Sequence, residues 1–160
     1  MLGDPGRDLG ELVVLQRLGG AGVEQGHRLR RALGLAILDR VLELPEPTTD
    51  DEAGRAAYVM AWNNACIHAH ALGRFERACE LADGAQRFAA ENPYIYHSAA
   101  CAYAAAGRLD QALGQVKLAI DHGYDHIEKM EVDRDLGPLL AQPAFKALFA
   151  NWRSQRADLN

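Results

Sequence analysis

The sequence predicts an all-α protein of 160 residues, assembled from helix pairs that recur at a fixed spacing. Three observations carry this. Apolar residues fall at helical intervals, as in Leu29, Leu33, Ala36, Ile37, Val41 and Leu44. Strand signals are missing, since β-branched residues are scattered and no alternating run is bounded by turn residues. The third is an internal repeat. The segments HALGRFERACELADGA (70–85) and AAAGRLDQALGQVKLA (104–119) match at constant offset, pairing Gly73 with Gly107, Arg74 with Arg108, Ala78 with Ala112 and Ala85 with Ala119, each 34 residues apart. The register extends backwards to Trp62 with Tyr96 and Ala65 with Ala99.

In chain order, seven of the 15 glycines lie at or before Gly26, so residues 1–26 read as a loosely ordered segment with one short helix over 11–18. Residues 27–44 form a helix in which Leu35, Leu38 and Leu42 add a second apolar stripe, predicting burial between neighbours on both sides. PEPTTD breaks the chain. Thr49 with Glu52 matches a capping box, opening a helix over 50–72. Helices follow over 75–90, 93–106 and 109–122, with Gly123 ending the last. Asp125 and Glu128 suit the start of a helix in DHIEKM, and Pro143 the first turn of another. Leu136, Leu139, Leu140, Phe145, Leu148, Phe149 and Trp152 supply apolar cover for the preceding helices.

Composition narrows the function classes. Hydrophobic residues make up 49% and charged residues 24%, an ordinary globular balance. A net charge of −5 disfavours nucleic acid as the main partner. No stretch is apolar enough to cross a membrane, and MLGDPGRDLG has neither a basic leader nor a long apolar run. Cys66, Cys79 and Cys101 show no CxxC or zinc-ribbon spacing and read as reduced thiols, which predicts a cytoplasmic protein.

The residues quoted above resemble the tetratricopeptide repeat family, whose helix–turn–helix unit spans 34 residues. Trp62 and Tyr96 stand at its early aromatic position, Cys66 and Ala100 at its small residue, and Gly73 and Gly107 at the end of its first helix. Phe75 and Leu109 follow as its large apolar residue, and Ala78, Ala85, Ala112 and Ala119 are the small residues of its second helix. The resemblance implies a right-handed superhelical stack of antiparallel helix pairs, an α-solenoid whose core is shared between units. It divides the chain into a degenerate repeat helix with its connection (27–58), two repeats (59–126) and C-terminal capping helices (127–160). The string DRDLGPLLAQPAFKALF also resembles tails that close bacterial arrays of this family. In such a stack the first helices line a concave groove, here presenting Met60, Asn63, Ile67 and His70 from one repeat and Tyr94, His97 and Cys101 from the next. Arg77 is placed facing outward.

The function implied is a non-catalytic protein-interaction module, a scaffold or adaptor that takes a peptide or partner segment with apolar anchors. It needs no cofactor, and the resemblance also admits self-association. Asn63 alone matches the family's lysine, arginine and asparagine clamp for carboxylate-ended peptides. The N-terminal segment folded across the groove would cover Ile67 and Tyr94 instead. Two alternatives stand beside this reading. One is a dedicated regulatory or immunity-type subunit. The other is a metal-dependent or cysteine-based enzyme: Cys66 with His70, and His97 with Cys101, sit one helical turn apart, and the groove would gather His70, His97 and Cys101 as three metal ligands. His122 and His126 share that spacing, but Gly123 separates them. Ser98 has no strained elbow, and the glycine loop 20–26 misses GxGxxG and follows no strand. Arg28, Arg30 and Arg31 read as a solvated helix edge.

Overall fold

The repeated glycines reverse the chain. Gly73, Gly107 and Gly123 adopt φ angles of 74°, 75° and 81°, the left-handed region that strains any residue with a Cβ. Each closes a helix in the same way. The glycine N–H donates to the carbonyl three residues back (His70, Ala104, Ile120), and the next N–H donates to the carbonyl five back (Ala69, Tyr103, Ala119). These paired bonds form a Schellman motif, which satisfies carbonyls the helix would otherwise leave open.

A computed structural model describes residues 23–157. Among them lie eight α-helices, one 3-10 turn and no strand: α1 Val23–Leu42, α2 Glu52–Ala71, α3 Phe75–Phe88, α4 Pro93–Ala105, α5 Leu109–Asp121, α6 Ile127–Met130, the 3-10 turn Arg134–Leu136, α7 Gly137–Leu140 and α8 Pro143–Ala157. The short helix expected at 11–18 lies outside the described residues. Helix α1 starts at Val23, earlier than expected, with Glu24 favourably placed in its first turn.

Two caps differ from expectation. Asp51, not Thr49, caps α2, its Oδ1 accepting the Gly54 N–H at 2.8 Å. Helix α6 starts one residue later than Asp125 would cap it: His126 stands at the N-cap with no side-chain cap, and the Asp125 carboxylate lies 3.6 Å from the His126 ring. Elsewhere the local chemistry agrees with the pattern. Asn92 caps α4 by accepting the Tyr94 N–H at 3.0 Å, with Pro93 at the first helical position, and Pro143 opens α8.

Helices α2 and α3, and likewise α4 and α5, form two hairpins, each joined by its glycine turn and packed along its length. Helix α2 also packs on α1 and α4, the 3-10 turn and α7 pack on α4, and α8 packs on α5 and α7. The close contacts are made by alanine: Ala65, Ala69, Ala78, Ala99, Ala100, Ala102, Ala112 and Ala119 are fully buried. Bulk comes from Leu81, Tyr96, Tyr103 and Val116 within the hairpins and from the flanks. Leu35 on α1 and Met130, Leu136, Leu139, Phe145 and Phe149 in the tail join the same buried cluster, which is how helices with few large residues acquire a core.

Helix α1 buries one stripe only. Leu35 is buried and Leu38 and Leu42 pack on the core, whereas Ile37 and Leu44 are exposed, so the expected two-sided burial is not met among the described residues. Asp39 on α1 receives a hydrogen bond of 2.8 Å from Arg77 on α3. Arg77 therefore joins two helices rather than projecting freely into solvent.

Candidate functional site

The seven groove residues fall into two groups, one on each hairpin's first helix. On α2, Met60 and Ile67 are 53% and 47% exposed, one heptad apart on a helix whose other sides are packed. Between them Asn63 is half-buried, and its Oδ1 has no hydrogen-bond partner among the described residues; the same holds for Nε1 of Trp62. His70 lies against the Phe75 ring, centroids 5.8 Å apart. It lines an open hollow of about 630 Å3 together with Arg31, Arg134 and Asp135.

Of the equivalent positions on α4, His97 and Cys101 are covered by the chain that follows α5, while Tyr94 stays half-exposed. Tyr94 keeps 48% exposure, but its ring meets Tyr124 edge-on at 5.3 Å, and its hydroxyl donates to Asp125, which holds its pKa above the ordinary phenol value. The His97 ring stacks on Tyr124 at 4.9 Å and 18°. Its Nε2 lies 3.0 Å from Asp133 Oδ2 and 3.8 Å from Cys101 Sγ. Cys101 is only 8% exposed, so it is not the open groove residue expected from the repeat register. Its equivalent on α2, Ile67, stays open because nothing among the described residues plays the part of Tyr124 and Asp133 there.

The three-ligand expectation is corrected in one member. His97 and Cys101 do come together, but the third group is Asp133: one ligand atom from each of the three lies within 4.8 Å of the others. His70 sits in the separate hollow. Asp133 is 36 residues from His97, and no spacing rule links them; only the packing of the 3-10 turn on α4 brings the carboxylate in.

Cysteine chemistry fits this arrangement poorly. Burial raises all three thiols, Cys66 to about 12 and Cys79 and Cys101 also upward, with Asp133 and Asp135 adding to the rise at Cys101. They are thiols rather than nucleophilic thiolates at neutral pH. In a catalytic relay the carboxylate orients one imidazole nitrogen while the other takes the nucleophile's proton. Here Asp133 and Cys101 both approach the same Nε2, so no relay is formed.

Compared with protein-family models, curated proteins and solved structures, the chain matches none. No helix among the described residues is long and apolar enough to cross a membrane.

Proposed function

We propose that the chain is a non-catalytic protein-interaction module, a scaffold or adaptor of tetratricopeptide-repeat type whose hairpins stack as a right-handed superhelix. Its partner is a peptide or protein segment with apolar anchors, received on the α2 face. The observation that carries this reading is the pair Met60 and Ile67: two large apolar side chains held half-open, one heptad apart, on a helix packed by its other faces. Amphipathic or extended peptides dock on such spaced anchors. The matching glycine turns, 34 residues apart, support the repeat register. The tail narrows the groove on the second hairpin, where Tyr124 and Asp133 cover His97 and Cys101. With no lysine or arginine among the groove residues, an acidic C-terminal tail is a poor ligand.

Selection from a random peptide display library tests this. The expected outcome is an enriched motif with apolar residues at fixed spacing, whose binding weakens by at least about 1 kcal/mol in Ile67→Ala and in Met60→Ala. Lys146→Ala, on α8, should leave it unchanged. Failure to enrich a motif, or ligands indifferent to both α2 substitutions, would remove the reading.

A further inference from the structure

We propose that His97, Cys101 and Asp133 form a binding site for a single zinc-type transition-metal ion. The ligand atoms are His97 Nε2, Cys101 Sγ and Asp133 Oδ2. Tetrahedral zinc holds nitrogen and oxygen at about 2.0–2.2 Å and sulfur at about 2.3 Å, which places neighbouring ligand atoms roughly 3.3–3.6 Å apart. Here the nitrogen–oxygen separation is 3.0 Å and the nitrogen–sulfur separation 3.8 Å. The sulfur and the carboxylate oxygen lie within 4.8 Å of one another, so side-chain rotations that shift the ligand atoms by up to about an ångström close the three around one ion.

The supports are already in place. His97 and Cys101 sit one turn apart on α4, with side chains on one face. Asp133 Oδ1 accepts the Asp135 N–H at 3.0 Å, which fixes the carboxylate and leaves Oδ2 directed at His97. The Tyr124 ring stacks on the imidazole and holds its plane, an outer contact of the kind that orients metal ligands. Cys101 forms the buried floor of the site, while the side chains of His97 and Asp133 are partly open to solvent. An ion can therefore enter, and its fourth position faces solvent, available to water or a donor from another molecule.

The mixed nitrogen, sulfur and oxygen set selects the class of ion. Thiolate and imidazole favour zinc over magnesium or calcium, which prefer oxygen alone. On binding, the Cys101 thiol gives its proton to solvent, and the proton that His97 Nε2 donates to Asp133 leaves that nitrogen through solvent, the neutral imidazole then carrying its proton on Nδ1. The hydrogen bond between His97 and Asp133 is replaced by two metal–ligand bonds, with no change of oxidation state. Nothing in this site depends on the peptide-binding reading of α2.

Cobalt(II) alone is the probe, added to the full chain after tag removal, reduction and chelator treatment. The expected result is a sulfur-to-cobalt charge-transfer band saturating at one equivalent and abolished by adding zinc alone. Asp133→Asn preserves an oxygen for the Asp135 N–H and should weaken cobalt binding by more than about tenfold, at least the loss that outer contacts alone can cause. Cys101→Ala should remove the band, and His27→Ala should leave it intact. Wild-type protein without the band would overturn the proposal. So would Asp133→Asn and His97→Gln proteins that titrate like the wild type, a comparison that still decides the matter should Cys101→Ala fail to fold.

Discussion

Positions 60, 63 and 67 on α2 correspond to 94, 97 and 101 on α4, and the two sets meet different fates. Met60, Ile67 and Tyr94 all stay about half-exposed, but Tyr94 leans on Tyr124, His97 is held between Tyr124 and Asp133, and Cys101, the equivalent of Ile67, is buried. Backbone geometry does not explain the difference, since both helices end in the same glycine turn with φ angles 1° apart. The neighbours do. The second hairpin is followed by a segment that folds back over its first helix; α2 is flanked by α1, which meets it along a different side through Leu35 and through Leu42, whose carbonyl accepts the Tyr58 hydroxyl. A repeat unit thus keeps its helices while its exposed face is assigned by whatever packs beside it.

The dependence of the second hairpin on the tail gives the largest expected effect. Phe149 is fully buried, with its ring 4.6 Å from Phe145, and α8 contacts α5. Phe149→Ala should cost about 3–5 kcal/mol, the usual range for emptying a buried aromatic site. Urea denaturation measures it, and hydrogen exchange should show α4 and α5 losing protection before α2 and α3. A loss below about 1 kcal/mol would mean that the second hairpin stands without its tail.

Much of this was legible beforehand. The helix boundaries at 71, 75, 93, 105, 109 and 121 follow from glycine, proline and asparagine acting within a few residues, and such local chemistry shows in sequence. The Asp51 cap is masked in the sequence because Thr49 with Glu52 gives a competing signal of the same kind two residues earlier. The site was only half legible. The one-turn spacing of His97 and Cys101 is a sequence feature, but the approach of Asp133 and Tyr124 depends on how the tail packs, as does the bond between Asp39 and Arg77. Long-range contacts of this sort carry no periodicity.

The next test exchanges residues between the hairpins. Gly84 on α3 faces Trp62 so closely that an added Cβ would collide with the indole ring. At the equivalent positions the second hairpin has Leu118 and the smaller Tyr96. Glycine within a helix forfeits roughly 1 kcal/mol of propensity, so replacement would help if room existed. Gly84→Leu should instead cost about 1–3 kcal/mol through overpacking. Adding Trp62→Tyr should recover part of that loss, giving a double-mutant cycle with coupling above about 0.5 kcal/mol. Additive effects would show that the two hairpins solve their aromatic packing independently of this pair.

The smallest effect concerns Cys66 and its equivalent Ala100, both fully buried. Burial raises the Cys66 thiol from 9.0 to about 12, with Cys79 and Asp83 adding to the rise. The folded protein holds the thiol neutral, while the unfolded chain ionises it above pH 9. The stabilisation is thus complete below pH 9 and is lost as pH rises from there towards 12. At pH 10, one unit above the unfolded value, the loss from this residue is about 1.4 kcal/mol. Cys66→Ala places the second hairpin's residue in the first and removes the ionisable group. It should lower stability at pH 7 through the small volume lost, yet flatten the decline between pH 8 and pH 10 relative to wild type. Thermal melts of both proteins across that range measure the difference in slope, with Cys79 and Cys101 retained in each. Parallel curves would mean that the Cys66 thiol ionises in the folded protein as readily as in the unfolded chain, and that the sulfur is not sealed between α2 and its neighbours.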